Sequence, residues 1–463
     1  MVFSSLVFLC VFLPIVLALY YALPTLRIRN ILLIFVSLLF YAYGEPVYVL
    51  LMLLSIVINY ILGRLLDTEN KTRKKAVLTL AIVGNIGLLV VFKYMGMLVA
   101  TIETITGLQL PAIELALPIG ISFFTFQAMS YVIDVYRREV KAQKNLLDMM
   151  LYISFFPQLI AGPIVKYHDI QAQIRNRNAD TKEIAEGLRR FIVGLSKKVL
   201  ISNTMAFTAD TLFSATPTEI NACSAWVAAI AYMMQIYFDF SGYSDMAIGL
   251  GHMFGFHLLE NFRYPYISQG IQAFWRRWHI SLSTWFKEYL YIPLGGNRKG
   301  KIRTCCNKMI VFFSTGLWHG ANWTFVLWGM WHGVFLLLED ILPIKKMPKP
   351  ILHLYKLLIV CVGFVMFRAD TFSQGMFMIQ QMFIGWTNTT IQSITLLEQL
   401  HPVFLLTLFC AVIGSTPMMA NMAKKVFTGR LEWLGYCGSI LLLLLCMLKL
   451  SGGTYNPFIY FRF

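Results

Sequence analysis

The sequence predicts an all-α protein that crosses a membrane many times. Its 463 residues are 58% hydrophobic and only 13% charged, whereas soluble globular proteins are about 25% charged. Apolar runs of about 20 residues, the length of a membrane-spanning helix, recur along the whole chain. Phe, Trp and Tyr make up 15% of the residues, which is typical of the aromatic belts at membrane interfaces.

The apolar runs predict about eleven spans, with re-entrant and interfacial pieces where a run is too short to cross alone. We see no soluble domain or internal repeat, and we predict a single membrane domain over residues 1–463. The first run lacks a basic start and a small-residue cleavage site, and we expect a retained helix there. The runs are 2–23, 30–44, 47–63, 76–98, 112–135, 146–165, 190–213, 222–256, 308–318, 321–338, 351–367, 373–386, 401–420 and 434–450.

The formal net charge is +16, and its distribution predicts the membrane topology. Basic residues follow the first, third and fifth apolar runs, as at Arg27, Lys74 and Arg137. Cytoplasmic loops of membrane proteins carry an excess of Lys and Arg, so these blocks place the N-terminus outside the cytoplasm. The same charges suit contact with anionic lipid, and we expect no nucleic-acid partner.

The segment 154–164, SFFPQLIAGPI, interrupts this alternation because basic residues flank it on both sides. It contains Pro157, Gly162 and Pro163. Irregular backbone at membrane depth occurs only where it is buried in protein or lines a wet cavity. We therefore predict a re-entrant loop, with a Pro-kinked full span as the alternative.

A Trp-rich stretch, FWRRWHISLSTWFKEY at 274–289, predicts one helix lying at the membrane interface. Its large apolar residues are spaced by three and four, while Arg276, Arg277 and Lys287 lie elsewhere. Trp side chains would anchor such a helix at the headgroup level. The predicted apolar face comprises Trp275, Trp278, Leu282, Trp285 and Tyr289.

Ionisable residues inside an apolar bundle are costly and are therefore candidates for function. His319 lies in GLWHGANW between two apolar runs, with no carboxylate nearby in the sequence. A neutral imidazole there can accept a proton, although a buried hydrogen-bonded histidine explains the residue equally well. His332 falls about 220° from His319 round an ideal helix, which favours a packing or hydrogen-bonding role. His279 becomes a candidate only if the Trp-rich stretch folds toward His319.

Two carboxylates, Asp239 and Asp245, lie in the otherwise apolar stretch YFDFSGYSDMAIGLG. They either bind a substrate or pair with Arg276 and Arg277, since buried charges normally need a partner. The cysteines show no CxxC spacing and the histidines show no metal-ligand spacing, so we expect neither a disulfide nor a metal. The sequence also lacks a P-loop, a GxSxG elbow and an HExxH motif.

Long motifs occur in a fixed order between residues 117 and 333. They are LPIGISFFTFQ at 117–127, SFFPQLIAGPI at 154–164, FDFSGYSDMAIG at 238–249, FWRRWHISLSTW at 274–285 and LWHGANWTFVLWGMWHG at 317–333. In sequence and order they resemble the bacterial membrane-bound O-acyltransferase (MBOAT) family. The resemblance is nearest to its alginate O-acetylation branch, and it makes 117–333 the region of the catalytic core.

The resemblance implies a ring of tilted helices around a funnel, in which a cytoplasmic acyl donor meets an extracytoplasmic acceptor. It places the family's catalytic histidine at His319 and a second motif histidine at His279. His319 would act as a general base, taking the proton of an acceptor hydroxyl that then attacks an acyl thioester. The developing oxyanion needs hydrogen-bond donors, and Asn322, Trp318 and Trp323 are candidates by proximity.

The implied reaction is O-acetylation of an exported polysaccharide at the bacterial cell membrane. Acetyl-CoA or another acyl thioester would be the donor substrate, and we expect no bound cofactor. Bacterial relatives usually work with a separate extracytoplasmic acyltransferase or esterase-like protein, so we expect such a partner. A transporter or flippase is one alternative, because transporters also build sites from broken helices. A non-catalytic subunit of an exopolysaccharide export complex is another.

Overall fold

The computed structural model describes residues 1–111, 115–160, 162–427, 429–453 and 455–459. Within these ranges the chain forms helices and no strand, so the all-α prediction is confirmed. The first three positions of the predicted run 112–135, and position 161 of the segment 154–164, lie outside the described residues.

The chain divides into two compact units. Unit 1 comprises Met1–Phe191 and Ser244–Leu259, and unit 2 comprises Ile192–Tyr243 and Glu260–Phe463. The single membrane domain over residues 1–463 stays a prediction, because a packing unit and a membrane domain are different divisions of a chain.

Unit 1 is a bundle of helices, some of which begin at a side-chain cap. Thr25 accepts a hydrogen bond from the Ile28 amide, and Asn70 accepts one from the Arg73 amide, which satisfies amides that lack an intrahelical partner. Its helices are α1 (Leu13–Ala22), α2 (Leu26–Ala42), α3 (Tyr48–Leu65), α4 (Lys71–Leu89), α5 (Met95–Thr106), α6 (Ile121–Arg137), α7 (Leu146–Ser154), α8 (Phe156–Leu159), α9 (Tyr167–Arg175) and most of α10 (Thr181–Ser196).

The described residues of the segment 154–164 are irregular in conformation and buried in unit 1. α7 ends at Ser154, α8 is a single turn, and Phe155 between them has a ψ of 109°. The Phe156 ring lies 5.5 Å from both Phe12 and Phe40, centroid to centroid, and this aromatic packing anchors the break. A helix break in this segment is confirmed, while its re-entrant path stays a prediction.

Unit 2 contains the longer, C-terminal part of the chain. π-helical turns precede α11 at Lys197–Ser202 and follow α14 at Lys287–Tyr291. Its helices are α11 (Asn203–Ser214), most of α12 (Ala222–Met253), α13 (Ile271–Trp275), α14 (Ile280–Phe286), α15 (Lys301–His319), α16 (Trp323–Ile341), α17 (Lys349–Arg368), α18 (Phe372–Ile384), α19 (Thr390–Gln399), α20 (Pro402–Gly414), α21 (Met418–Val426) and α22 (Glu432–Gly452).

α15 and α16 form a tightly packed hairpin in unit 2. A Cβ atom added at Gly316 would lie 2.5 Å from the Phe325 carbonyl oxygen, and one at Gly329 would lie 2.3 Å from the Phe312 carbonyl oxygen. Small residues let helix backbones approach closely in membrane proteins. The glycines therefore hold the two helices at backbone contact on either side of a short turn.

Several helices are suited to a membrane. Among the described residues, five are long and apolar enough to cross one, or six if α19 and α20, which are bent by 61°, count as one span. The predicted total of about eleven spans stays a prediction. The five are Tyr48–Leu65, Lys71–Thr106, Trp323–Ile341, Lys349–Arg368 and Glu432–Gly452.

The prediction of one interfacial helix over 274–289 is wrong. α13 ends at Trp275 and α14 begins at Ile280, with His279 between them in the left-handed conformation at a φ of 44°. The helix breaks because Asn261, distant in sequence, hydrogen-bonds the backbone that follows His279. Most of the predicted apolar face is buried in protein.

We expect Gly329→Ala to destabilise the protein by about 1–3 kcal/mol, since the new methyl group would overpack the α15–α16 contact. The measurement is the thermal unfolding midpoint of the detergent-solubilised protein. Gly438→Ala is the matched control, because an added Cβ at Gly438 meets no atom within 4 Å. Equal midpoints for the two variants would contradict the proposed backbone contact.

Candidate active site

His319 lies at the turn of the α15–α16 hairpin. α15 ends at His319, and Gly320 after it is extended with a φ of −166°. α16 begins after Asn322, whose side chain accepts a hydrogen bond from the Thr324 amide at 3.1 Å, as a helix N-cap does. The turn therefore fixes the backbone of His319, and the residue is only 4% exposed.

The backbone of His279 is held in an uncommon conformation. A φ of 44° is rare for a non-glycine residue. The Ile280 amide donates to the Asn261 carbonyl at 2.9 Å, and the Ser281 amide donates to Asn261 Oδ1 at 3.1 Å. Such conformations cost about 1–3 kcal/mol and persist where the surroundings over-determine them, often at active sites. Asn261 provides that constraint here.

The two imidazoles lie beside each other around one indole. The ring centroids of His279 and His319 are 6.4 Å apart. The Trp318 ring lies 5.7 Å from His279 and 5.1 Å from His319. The predicted condition for a role of His279, that the Trp-rich stretch folds toward His319, is therefore met.

Aromatic rings enclose the pair of histidines. His279 lies 6.1 Å from the rings of both Phe240 and Phe262. His319 lies 5.0 Å from Trp328 and 5.1 Å from Phe367, both edge to face. These packed rings, which we call the aromatic chamber, keep the two imidazoles away from bulk water.

The imidazole of His279 is buried without compensation. Both of its ring nitrogens lack a hydrogen-bond partner among the described residues. His279 lies outside the candidate spans, and burial lowers the pKa of its imidazole to about 3, so the ring is neutral at physiological pH. Unsatisfied buried polar groups need an explanation, and a bound substrate that hydrogen-bonds the ring is one.

His332 belongs to the same aromatic cluster. Its ring lies 5.2 Å from Trp328 and 5.1 Å from Trp275, and both ring nitrogens lack a hydrogen-bond partner among the described residues. These contacts favour the packing interpretation.

Trp328 and Phe367, which contact His319, were missed by sequence reasoning. Trp328 lies within the quoted motif 317–333, whereas nothing in the sequence around Phe367 indicates a site.

The predicted oxyanion donors fall in different places. Trp318 is buried and its ring lies beside both histidines. Asn322 is engaged in structure, because its Nδ2 donates to the Asp370 carbonyl at 3.0 Å while its Oδ1 caps α16. Trp323 is the first residue of α16, and it is 49% exposed. Trp318 is thus the predicted donor that the structure places beside the histidines.

Asp239 forms a buried ion pair with Lys198. Its carboxylate also accepts hydrogen bonds from Ser202 Oγ at 3.4 Å and from the Ile459 amide at 3.0 Å. Buried charges are normally compensated in this way. The contacts favour the structural interpretation of Asp239 over substrate binding.

Asp245 pairs with Arg190 in unit 1, with Arg190 Nη2 2.9 Å from Asp245 Oδ1. The predicted partners of the two carboxylates, Arg276 and Arg277, are therefore wrong. The actual partners are Arg190 of α10 and Lys198 of the π-helical turn that follows it. Neither residue spacing nor composition predicts that these elements pack beside α12.

The C-terminal segment 455–459 covers the buried ion pair in unit 2. Lys198 donates to the Pro457 carbonyl, and the Phe458 ring lies 4.9 Å from Tyr243. Asn203 Nδ2 donates to Asn456 Oδ1 at 3.0 Å. The end of the described chain is thus tied to the helices that begin unit 2.

Among the described residues, one group of side chains could hold a metal ion by proximity: Asp134, Glu139 and His168, whose donor atoms lie within 4.8 Å of one another. His168 Nδ1 lies 3.1 Å from Asp134 Oδ2, and His168 Nε2 lies 3.1 Å from Asp169 Oδ1. These contacts give both ring nitrogens of His168 a polar partner within unit 1. The expected absence of a metal stays a prediction.

The apolar spans indicate a membrane protein, and the two buried histidines in the aromatic chamber are its candidate site. The family model described as "MBOAT, membrane-bound O-acyltransferase family" matches residues 40–343, a range that includes His279 and His319. The chain belongs to this family, and the resemblance is confirmed. It is a multi-pass membrane protein and an O-acyltransferase.

The chain is similar to curated relatives along its length. It is 41% identical to "Probable alginate O-acetylase AlgI" of Pseudomonas putida, over 100% of both chains. It is 33% identical to "Peptidoglycan O-acetyltransferase" of Helicobacter pylori, over 93% of this chain and 91% of that protein. It is 28% identical to "Teichoic acid D-alanyltransferase" of Bacillus subtilis, over 47% of this chain and 58% of that protein.

We expect Lys198→Met to destabilise the protein by about 3–5 kcal/mol, because it leaves the Asp239 carboxylate buried without its cation. The measurement is the unfolding midpoint of the solubilised protein. Arg138→Met is the control, since Arg138 pairs with Glu69 while both side chains are largely exposed, and such pairs contribute little. A Lys198→Met variant as stable as the control would contradict the structural role of Asp239.

Proposed function

We propose that the protein transfers an acetyl group from a cytoplasmic acyl thioester to a hydroxyl acceptor outside the cytoplasm, for O-acetylation of an alginate-like polysaccharide. The observation that supports this most is the contact of His279 and His319 in a buried aromatic chamber, inside the family-matched region. Relatives named for alginate and peptidoglycan O-acetylation align with nearly the whole chain. The D-alanyl transferases align with about half of it, which favours acetyl transfer.

His319 acts as the general base in this proposal. Its neutral imidazole takes the proton of the acceptor hydroxyl, and the oxygen attacks the carbonyl carbon of the thioester. A C–O bond forms, the C–S bond breaks, and the proton passes from the imidazolium to the departing thiolate. Base assistance of this kind contributes about 10²–10⁴-fold to the rate.

His279 supports the reaction from its place beside His319 and Trp318. Its buried, neutral ring hydrogen-bonds the donor or acceptor, which would satisfy the ring nitrogens that have no partner among the described residues. The carbonyl oxygen gains negative charge in the transition state, and a preorganised N–H donor in a dry site stabilises it. Trp318, whose ring contacts both imidazoles, is the donor we favour over Asn322 and Trp323.

The membrane setting is part of the proposal. We place the chain in the bacterial cytoplasmic membrane with its N-terminus outside, because the basic loops follow the positive-inside rule. We expect about eleven spans, arranged as the family's ring around a funnel. Acetyl-CoA or a related thioester is a substrate and not a resident cofactor. A separate extracytoplasmic acyltransferase or esterase-like protein would complete transfer to the polymer.

We expect His319→Ala to lower acetyl transfer by about 10²–10⁴-fold, because the acceptor hydroxyl loses its base. The measurement is transfer of labelled acetyl from acetyl-CoA in membranes that contain the extracytoplasmic partner and the polymer. His257→Ala is the matched control, since His257 is largely exposed and pairs with Glu183 at 3.3 Å. All samples are compared at equal amounts of inserted, folded protein.

Label on the polymer that depends on His319 but not on His257 would support the proposal. Full transfer by His319→Ala would contradict the assignment of the base. No label from the unaltered protein, with partner and polymer present, would contradict acetyl-CoA as the donor. Polymer export without acetylation would instead favour the transporter alternative.

A further inference from the structure

Polar side chains of α16 and α17 hold the chain segment that leads into His279. The most prominent is Glu339 of α16, which is 3% exposed. Its carboxylate accepts hydrogen bonds from the Ile271 amide and, at 3.1 Å, from the Gln272 amide. These are the first two amides of α13, which no carbonyl within the helix can satisfy. A negative charge there also complements the helix dipole.

Residues of α17 hold the same segment by its carbonyl groups. Lys356 donates to the Tyr266 carbonyl, and His353 Nδ1 lies 3.1 Å from the Ser268 carbonyl oxygen. Amides are thus bound by a carboxylate, and carbonyls by nitrogen donors. The segment 266–272 is therefore fixed to α16 and α17 through its backbone.

One face of α16 contacts both His319 and α13, the helix that precedes His279. Trp328, His332 and Glu339 lie within about 40° of one another round an ideal helix. Trp328 packs against His319 at 5.0 Å, and His332 packs against Trp275 of α13 at 5.1 Å. α16 is thus the common support for His319 and for the helix that precedes His279.

The carboxylate of Glu339 sits directly against the backbone of the segment. Gly270, just before α13, has a φ of +85°, and a Cβ added there would lie 3.0 Å from Glu339 Oε1. A side chain at position 270 would press against the carboxylate, and the positive φ there also favours glycine. The neighbouring Asp340, in contrast, points to another contact and forms an ion pair with Lys308.

We infer that Glu339 is a positioning residue for the acyl transfer: by binding the first amides of α13, it sets the place of His279 relative to His319. The inference rests on the proposed function, because it assigns Glu339 a role in the same reaction. Glu339 itself touches neither histidine. It acts through α13, and its loss would move His279 while leaving His319 at the hairpin turn.

The test compares Glu339→Ala, Glu339→Gln and Asp340→Asn in the acetyl-transfer assay, normalised to folded protein by size-exclusion chromatography. A displacement of about 1 Å in an active site can cost about 10²-fold in rate. We expect Glu339→Ala to lower kcat by about 10²-fold with KM for acetyl-CoA unchanged. Glu339→Gln retains one acceptor oxygen and should retain more activity, and Asp340→Asn should match the unaltered protein.

A second readout needs no turnover. Modification of His279 by diethylpyrocarbonate, followed by mass spectrometry, reports the accessibility of the ring. We expect faster modification in Glu339→Ala and also in Gly270→Ala, which displaces the carboxylate without removing it, but not in Asp340→Asn.

The two readouts separate the possible failures. An unaltered protein that transfers no acetyl group contradicts the proposed function, while the modification of His279 still tests the positioning role. Unchanged kcat and unchanged modification in Glu339→Ala would overturn the positioning role. Equal losses in Asp340→Asn would do the same, because they would show a general effect of this end of α16.

Discussion

The contact between α15 and α16 is the constraint on which the candidate site depends. At Gly316 and Gly329 the two backbones are too close for any side chain. That closeness brings Trp328, one position before Gly329, against the ring of His319 at 5.0 Å. A hairpin with larger residues at the crossing would separate its helices, and the aromatic chamber around His319 would open.

Buried ionisable residues of unit 2 differ in how their polar groups are satisfied. Asp239, Lys356 and Glu339 are buried, and each contacts an ion or backbone groups. His279 and His332 are also buried, yet their ring nitrogens have no hydrogen-bond partner among the described residues. Because buried polar groups are nearly always satisfied, the two imidazoles differ from the residues that hold the fold. His279 lies beside His319, whereas the aromatic contacts of His332 favour packing.

Much of the molecule could be predicted from the sequence, and the limits have physical causes. Composition and apolar runs were enough for the all-α membrane class, and the order of motifs was enough for the family, while the catalytic role of His319 stays a prediction. The single helix at 274–289 was wrong because the φ of His279 depends on Asn261, which lies outside the stretch. Periodicity describes local preference, and a tertiary hydrogen bond can override it.

Contacts between residues that are distant in sequence could not be predicted either, because they depend on the tertiary fold. The two alternatives for Asp239 were substrate binding and pairing with arginines of the Trp-rich stretch, but its cation is Lys198 from the π-helical turn that precedes α11. Nothing in the sequence around Phe367 or Glu339 indicates a role in the site. Their importance comes from their contacts in the fold: Phe367 packs against His319, and Glu339 binds the first amides of α13. Sequence reasoning therefore found ionisable residues within apolar runs, because such residues are unusual in a membrane. It missed residues whose importance depends on what they contact in the folded protein.

The segment 455–459 has a consequence for the order in which unit 2 assembles. The Pro457 carbonyl accepts a hydrogen bond from Lys198, 259 positions earlier in the chain, and the Ile459 amide donates to Asp239, 220 positions earlier. A ribosome makes the chain from its N-terminus, so the elements that carry the ion pair are synthesised before these two groups exist. The buried charges of unit 2 are therefore incompletely covered until this segment arrives. A deletion of residues 455–459 would leave the helices of unit 2 in place and remove this cover.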